Sequence, residues 1–245
     1  MCSPAEIPIA DRNAWEARFR QRCARGVPGK DWYCGWPVLR RFLTSVLSRS
    51  DSVLVTGCGD APLALEMYKD GFERLTCVDY SPAAIKLLCA QFAECNCNDI
   101  LLAIEDVTNL SLKTAAFNAV LDKGCFDALP LSDGSKYLSE VQRVLLPGGH
   151  FVCVTNCGRL LQEEVQRCAP SWEVCLCHAL PISSLLVQSP LQLSARRVAP
   201  SLSVLEEPVA AGSEEVLLLV FAKPASIEHV SPGKQTSENL GIPVK

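Results

Sequence analysis

The sequence predicts an α/β fold in which a doubly wound, mostly parallel sheet carries helices on both faces. Short apolar stretches alternate with amphipathic stretches of helical period along most of the chain, which is typical of βαβ units. The apolar stretch that begins at Val53 also runs directly into a Gly-x-Gly turn, and Pro62 then opens the next helical stretch. Proline is favoured at a first helical position because its missing N–H would have no partner there.

The predicted elements follow the same order along the chain. Strands are expected near residues 53–57, 74–79, 100–104, 117–122 and 150–155, and helices near 62–70, 82–93, 135–146 and 158–168. Two further strands, near 172–176 and 215–221, bring the expected sheet to seven strands. The glycine-containing peptide after Leu146 is interpreted as an architectural turn.

Composition limits the function classes. With 245 residues the chain is long enough for one α/β domain with a sizeable core, or for two small ones. The net charge of −4 and the pI of about 5.5 predict no basic face, so a nucleic-acid partner is not expected. Because no apolar run reaches the roughly 18 residues of a membrane span and no leader pattern begins the chain, we expect a soluble, cytoplasmic protein.

The 14 cysteines favour reduced thiols over a metal site. Those in predicted strands, such as Cys58 and Cys77, are expected to behave as small buried hydrophobes. The pairs Cys95-x-Cys97 and Cys175-x-Cys177 could in principle meet as four metal ligands, but their spacing matches no standard zinc module. No metal is therefore expected.

The glycine turn predicts a nucleoside site at the sheet edge. A tight strand-to-helix turn explains Gly57 and Gly59 equally well, but Asp79 ends the next strand about 20 residues later, where a carboxylate accepts from ribose hydroxyls. No third glycine follows Ala61 to cradle a pyrophosphate. A nucleoside without phosphates is therefore favoured, and S-adenosyl-L-methionine (S-adenosylmethionine) is the common cofactor of that kind.

Other polar residues are expected at the same edge, because the ligands of such folds lie at the carboxyl ends of the strands. Asp106 follows the third strand and is interpreted as an acceptor for an exocyclic amine, with a local turn cap as the alternative. Asp122 and Lys123 end the fourth strand.

The first 50 residues are interpreted as a helical and aromatic lid. Trp15, Phe19 and Cys23 form one stripe of a helix whose arginines are assigned to its other faces. The aromatic cluster of residues 31–36 fits either a cover over a ligand or a plug of core packing. The remaining boundaries are a catalytic domain at 51–223, with an irregular insertion at 180–213, and a disordered tail at 224–245.

These stretches together resemble the class I, or seven-β-strand, methyltransferases, and most closely the group of methyltransferase-like 13 proteins, elongation-factor-1A lysine methyltransferases and citrate synthase lysine methyltransferase. The run Leu121-Asp122-Lys123-Gly124-Cys125-Phe126-Asp127-Ala128 carries the resemblance most specifically. The resemblance implies a Rossmann-like sheet and contacts to S-adenosylmethionine from Trp15, Trp32, Gly57, Asp79, Tyr80, Asp106, Val107 and Lys123. Phe19, where relatives usually have tyrosine, and Gly59 of the turn complete the expected cofactor site. Asp60-Ala61 replaces the Asn-Ser of the family, and Cys125 replaces its threonine.

The resemblance also implies transfer of a methyl group to a lysine of a protein substrate, with no nucleic acid or membrane partner. Asp122 and Lys123 are the candidate catalytic residues. Asp122 either orients the acceptor amine or is a buried carboxylate paired with Lys123 or with backbone amides. The aromatic residues Trp32, Tyr33 and Trp36 are candidates for the wall of an apolar acceptor channel. A small-molecule methyltransferase and a cofactor-binding pseudo-enzyme that acts as a partner protein remain open as alternatives.

Overall fold

The computed structural model of the protein forms an α/β sandwich around one seven-stranded sheet. It describes residues 11–26, 29, 31–95, 97, 100–181 and 215–225. Six α-helices are present in this part of the chain: α1 (Arg12–Arg25), α2 (Trp36–Leu43), α3 (Leu63–Lys69), α4 (Pro82–Glu94), α5 (Gly134–Val144) and α6 (Gly158–Cys168). The strands are β1 (Val53–Thr56), β2 (Leu75–Asp79), β3 (Leu101–Ile104), β4 (Phe117–Lys123), β5 (Leu145–Thr155), β6 (Glu173–Pro181) and β7 (Glu215–Ala222).

The sheet has the order β3-β2-β1-β4-β5-β7-β6. The pairings from β3 through β5 are parallel, and β7 runs antiparallel to both of its neighbours. The predicted seven-stranded, mostly parallel fold is thereby confirmed. The chain leaves β1 in one direction to reach β2 and β3, and returns on the other side of β1 to β4, which creates the switch point where ligands of such folds bind.

Two apolar layers cover the sheet. One cluster includes Leu39, Met67 and Leu88 of α2, α3 and α4, and the other includes Tyr137 and Leu161 of α5 and α6; all of these side chains are fully buried. Central strands buried on both faces read as continuous apolar runs, and for this reason β1 was recognisable from its sequence.

The structure moves the predicted boundary between α5 and β5 and extends β6 to Pro181. α5 ends at Val144 instead of residue 146, because Leu145 is already extended and pairs with Phe117 of β4. The turn after Leu146 therefore lies within the span of β5, where Gly148 takes a φ of 78°. The predicted insertion lies outside the described residues except for Leu180 and Pro181, which belong to β6, and the predicted tail lies outside them from residue 226 onward.

Within the described ranges, no helix is long and apolar enough to cross a membrane. No group of three or more His, Cys, Asp or Glu side chains in those ranges is arranged to hold a metal ion. Cysteines described there are free thiols, and several, including Cys77 and Cys153, are fully buried in strands.

Candidate functional site

A cleft opens at the carboxyl ends of β1 to β4, beneath α1 and Trp32. The space between its walls, together with open solvent at its mouth, amounts to about 1060 Å³. All ten predicted cofactor residues line it: Trp15, Phe19, Trp32, Gly57, Gly59, Asp79, Tyr80, Asp106, Val107 and Lys123. Residues from the first 32 positions thus meet residues from four strand ends in one cavity.

The turn after β1 requires glycine for two separate reasons. Gly57 and Gly59 have φ values of 54° and 56°, a region that side chains with a Cβ rarely adopt. A Cβ on Gly57 would also lie 2.6 Å from the sulfur of Cys125, which leaves no room for it. The amide of Gly59 donates to Asp79 Oδ2 at 2.9 Å, so the turn is fastened to the end of β2.

Asp79 is a buried carboxylate at the floor of the cleft. Its side chain accepts from the amides of Gly59 and Ser81, each at 2.9 Å, and the residue is 4% exposed. Burial raises the pKa of Asp79 to about 6, although the two hydrogen bonds oppose this shift. When ionised, the carboxylate is an acceptor only and can take further donors from a ligand.

Asp106 is held between a turn and α1. Its Oδ1 accepts from the amide of Thr108 at 2.9 Å and from its hydroxyl at 2.7 Å, while Oδ2 lies 2.7 Å from the guanidinium of Arg12. Burial alone would raise the pKa of Asp106, but the bonds from Thr108 and Arg12 lower it below its ordinary value. The guanidinium of Arg12 also lies over the ring of Tyr80, 5.3 Å from its centroid.

One face of α1 is directed into the cleft, and this corrects the sequence interpretation of its arginines. Arg12, Trp15, Phe19 and Arg22 all line the cleft, and their spacing of three and four residues places them on one helical stripe. The apolar members of the stripe taken alone predict a face without arginines, and the other faces were therefore assigned to the arginines. The rings of Trp15 and Phe19 stack with centroids 5.9 Å apart.

Lys123 links the end of β4 to the aromatic segment. Its ammonium lies 2.9 Å from Asp31 Oδ1 and donates to the carbonyl oxygen of Trp32 at 2.9 Å, and its side chain is only 5% exposed. Gly124, with a φ of 81°, follows at the turn, where a Cβ would lie 3.0 Å from the indole of Trp32. The half-buried indole therefore packs against the turn after β4, and its ring centroid lies 5.0 Å from that of Trp15.

The structure does not bring Asp122 into the cleft. This carboxylate is fully buried and accepts from the amides of Cys125 and Phe126, at 2.8 and 3.0 Å, and from the hydroxyl of Tyr137 at 2.7 Å. Burial raises its pKa to about 7. The sequence left two interpretations of Asp122 open, a residue that orients the acceptor amine and a buried carboxylate. Its position corresponds to the buried carboxylate, with backbone amides and not Lys123 among its partners.

Two of the three residues predicted for the acceptor wall also lie elsewhere. Trp36 is 3% exposed, packs edge-on against Phe72 with centroids 5.3 Å apart and donates to Asp70 at 3.0 Å, so it belongs to the core. Tyr33 is not among the lining residues, and its hydroxyl donates to Asp127 at 2.6 Å. Trp32 alone of the three lines the cleft.

Several lining residues were not identified from the sequence. They include Arg12, Arg18, Arg22, Cys125 and Leu129. The stripe on α1 was a signal for two of the arginines. Cys125 was quoted only as a departure from the family, and nothing in the sequence alone shows that its side chain packs against Gly57.

Comparisons with known proteins agree with this geometry. The sequence profile of the methyltransferase domain matches residues 53–149. Human EEF1A lysine methyltransferase 2 is 33% identical to this chain over 191 residues, which cover 70% of this chain and 80% of that protein. The chain belongs to the class I methyltransferase family. S-adenosylmethionine is the cofactor of this family.

Other relatives of this methyltransferase are matched over different shares of their length. The eEF1A lysine and N-terminal methyltransferase of Xenopus laevis is 34% identical over 163 residues, which cover 62% of this chain but only 22% of that protein. The chain thus spans about a fifth of the length of that relative. Among solved structures, the N-methyltransferase NodS from Bradyrhizobium japonicum, in complex with S-adenosyl-l-homocysteine, has a TM-score of 0.54 and 19% identity, over 89% of this chain and 95% of that one. At that identity the likeness concerns the fold.

Proposed function

We propose that this chain is an S-adenosylmethionine-dependent methyltransferase that acts on a lysine side chain of a protein, with the cofactor bound in the cleft beneath α1. The observation that carries the proposal is the buried carboxylate of Asp79, fastened to the glycine turn of β1 and open to the same cleft as the aromatic face of α1. Such a carboxylate, beside a glycine turn whose backbone a ligand can approach closely, suits the ribose of a nucleoside.

The lining residues fit the other parts of the cofactor. Gly57 and Gly59 leave the backbone open to a ligand, since no Cβ stands in the way. Tyr80, Asp106 and Val107 gather at the end of the cleft toward β3, where they offer apolar surface and an acceptor for a base with an exocyclic amine. Trp15 and Trp32 form an aromatic cover, and we propose that the segment from α1 to residue 35 acts as the lid.

The chemistry of methyl transfer assigns distinct tasks to the cofactor and to the protein. When bound, S-adenosylmethionine supplies an electrophilic methyl group on a sulfonium. The protein has to hold the acceptor nitrogen in line and exclude water, and such positioning is worth several kcal/mol of the barrier. The acceptor lysine must also arrive neutral, although its ordinary pKa is about 10.4, and an apolar wall such as Trp32 favours the neutral amine.

Lys123 is proposed to act through Trp32. Its ammonium holds both the carbonyl oxygen of Trp32 and the carboxylate of Asp31, so it fixes the aromatic cover on the end of β4. We therefore propose a positioning role for Lys123. Asp122 supports the same turn from the interior and is not proposed as a catalytic residue.

A protein substrate is supported by the names of the relatives. The human and Xenopus laevis proteins are named for methylation of eEF1A, and the former is matched over most of its length. Elongation factor eEF1A is therefore the first substrate to test. A cytoplasmic location is retained in the proposal, since free buried thiols suit a reducing compartment.

The test combines the purified chain, methyl-labelled S-adenosylmethionine and purified eEF1A. We expect label in protein, recovered as methyl-lysine after hydrolysis. A cell extract freed of small molecules and the small-molecule fraction of the same extract serve as parallel acceptors. Label that enters only the small-molecule fraction would identify a metabolite methyltransferase, and cofactor binding without transfer to either fraction would identify a pseudo-enzyme.

A further inference from the structure

Tyr33 has a strained backbone next to the aromatic cover of the cleft. Its φ is 62°, and it is one of two non-glycine residues with a positive φ in the described part of the chain. The amide of Cys34 donates to the carbonyl oxygen of Trp32 at 2.7 Å, which closes a three-residue γ-turn around Tyr33. A bulky residue adopts such a conformation only where its surroundings hold it there. Some contact outside the turn therefore has to stabilise it.

The turn directs three consecutive side chains into three different surroundings. Trp32 lines the cleft, whereas Cys34 is 5% exposed and belongs to the core. The hydroxyl of Tyr33 reaches Asp127 instead. In an ordinary extended segment, the first and third of three residues would share one face. The left-handed conformation of Tyr33 thus separates the indole of Trp32 from the core and leaves it at the cleft.

The hydroxyl of Tyr33 is bonded to a carboxylate that is itself held by other groups. It donates to Asp127 Oδ2 at 2.6 Å. Asp127 also accepts from the hydroxyl of Thr155, at the end of β5, and from the amide of Asn156 at 3.2 Å. Burial, and then the charge of Asp127, raise the pKa of Tyr33, so its hydroxyl remains a donor at neutral pH. Asp127 thereby ties Tyr33 to the ends of β4 and β5.

A second contact holds the residues before Tyr33. The ammonium of Lys123 donates to the carbonyl oxygen of Trp32 and pairs with Asp31. The ring of Tyr33 packs edge-on against the indole of Trp32, with centroids 6.0 Å apart. Lys123 therefore restrains the main chain in front of the turn, and the bond to Asp127 adds a restraint on the strained residue itself.

We propose that Tyr33 is a positioning residue, which keeps the indole of Trp32 over the cofactor through its hydrogen bond to Asp127. The inference rests on the proposed function, since it requires the cofactor in the cleft. Tyr33 does not line the cleft, so its effect on the cofactor passes through Trp32. When the bond to Asp127 is lost, the strained turn relaxes and the indole spends less time over the cleft. The affinity for the cofactor then falls although no contact to the cofactor has been removed.

The test compares two Tyr→Phe variants that remove similar hydrogen bonds. Tyr33→Phe removes the donor to Asp127, and the matched control Tyr137→Phe removes a donor to Asp122, the buried carboxylate of β4. Calorimetric titration of the full chain with S-adenosylhomocysteine should show an affinity about tenfold lower for Tyr33→Phe, the scale of one hydrogen bond to a charged group. The control should stay within about threefold of the wild type, because its bond lies outside the cleft.

A double variant tests whether the effect passes through Trp32. A chain that carries Trp32→Ala has no indole to position, so adding Tyr33→Phe should change its affinity for S-adenosylhomocysteine by less than about twofold. A bond that merely supports the domain would instead cause the same loss with and without the indole. Only a positioning role predicts that the loss disappears together with Trp32.

Asp127→Ala keeps the test informative if Tyr33→Phe does not fold. This variant removes the acceptor of the same bond and leaves Tyr33 intact. It should also lower the affinity for S-adenosylhomocysteine about tenfold, and by less than about twofold once Trp32→Ala is present.

The outcomes separate this inference from the proposed function. An unchanged affinity in Tyr33→Phe, or an equal loss with and without the indole, overturns the positioning role while leaving the cofactor in the cleft. A wild-type chain that does not bind S-adenosylhomocysteine overturns the proposed function and the positioning role together.

Discussion

At the scale of single residues, Asp79 and Asp122 are two buried carboxylates with different surroundings. Both lie at the end of a buried strand, at the same edge of the sheet. Asp79 lines the cleft, whereas Asp122 faces the interior and bonds to Tyr137 on α5. That difference depends on a hydroxyl 15 residues away in the chain, so no local pattern predicts it.

The raised pKa of Asp79 predicts opposite effects of pH on stability and on binding. Because the folded value of about 6 exceeds the ordinary value of 3.8, the folded state retains this proton at pH values where the unfolded chain has lost it. The contribution to stability is therefore present at low pH and lost as the pH rises through 6. Burial is the main cause, and the neighbouring carboxylates of Asp60 and Glu16 add to it.

The affinity for the cofactor should instead rise with pH, since ribose hydroxyls donate to the ionised carboxylate of Asp79. We expect the affinity for S-adenosylmethionine to fall up to tenfold for each pH unit below about 6. Asp79→Asn should bind weakly at every pH. Titrations between about pH 7.5 and 5 provide the measurement, and a wild-type affinity that is constant across this range would contradict the assignment.

Tyr137→Phe tests the structural role of Asp122. The change removes one of three donors to a fully buried carboxylate, and it should lower the free energy of unfolding by ~1–3 kcal/mol. Affinity for S-adenosylhomocysteine should stay within about threefold, because a change outside the cleft leaves its binding energy nearly unaltered. Thermal unfolding and calorimetry give the two values, with Ser139→Ala as the control for loss of an exposed hydroxyl on the same helix. A large loss of affinity with unchanged stability would return Asp122 to the site.

At the scale of elements, the sequence predicted the strands of the sheet more surely than the aromatic segment. Strand β1 is buried on both faces and reads as an unbroken apolar run, so its place was clear. Trp32 and Trp36, by contrast, stand four residues apart in one cluster of aromatics. In the structure, Trp36 packs in the core against Phe72 and donates to Asp70. Trp32 lines the cleft instead, and its carbonyl oxygen accepts from Lys123. These partners come from distant parts of the chain, and local composition does not reveal them.

Trp32→Ala separates a lid from core packing. If the indole covers the cofactor, its removal should weaken binding of S-adenosylmethionine by on the order of 2 kcal/mol, while the melting temperature of the free protein changes little. Thermal unfolding with and without S-adenosylmethionine should then show a smaller ligand-induced rise in the variant. The matched control is Trp36→Ala, which should lower stability by about 3–5 kcal/mol and leave the ligand-induced rise in place. If Trp32→Ala instead lowered the stability of the free protein and left the ligand-induced rise in place, Trp32 would belong to the core and not to the lid.

At the scale of the whole molecule, the arrangement of the strands creates the site. The order β3-β2-β1-β4 brings together strand ends that lie tens of residues apart, and α1 crosses them to close the cleft. Alternation of apolar and helical stretches was enough to predict a mostly parallel sheet with helices on both faces, although it did not predict the order of the strands. The crossing of α1 was not predictable in detail, because its apolar contacts with α4 and its ion pairs with Asp106 and Asp60 have no local signal.

The tail beyond the last strand is predicted to be dispensable. Lys223 belongs to the fold, since its ammonium donates to the carbonyl oxygens of Gln142 and Leu145 at 2.8 and 2.7 Å. A chain that ends at Ala225 keeps this contact and should retain both its melting temperature and its affinity for S-adenosylmethionine. A marked loss of either on truncation would show that residues 226–245 contribute to the domain.

The most direct test of the central claim is calorimetric titration of the full chain with S-adenosylmethionine, beside Asp79→Ala and the control Asp133→Ala. We predict one cofactor per chain for the wild type and for Asp133→Ala, whose carboxylate pairs with Lys136 outside the cleft. Asp79→Ala should lose roughly 2–3 kcal/mol of binding free energy, or about 30- to 150-fold in affinity, because a pair of charge-assisted hydrogen bonds disappears. Equal affinity in all three proteins, or no binding by the wild type, would contradict the account.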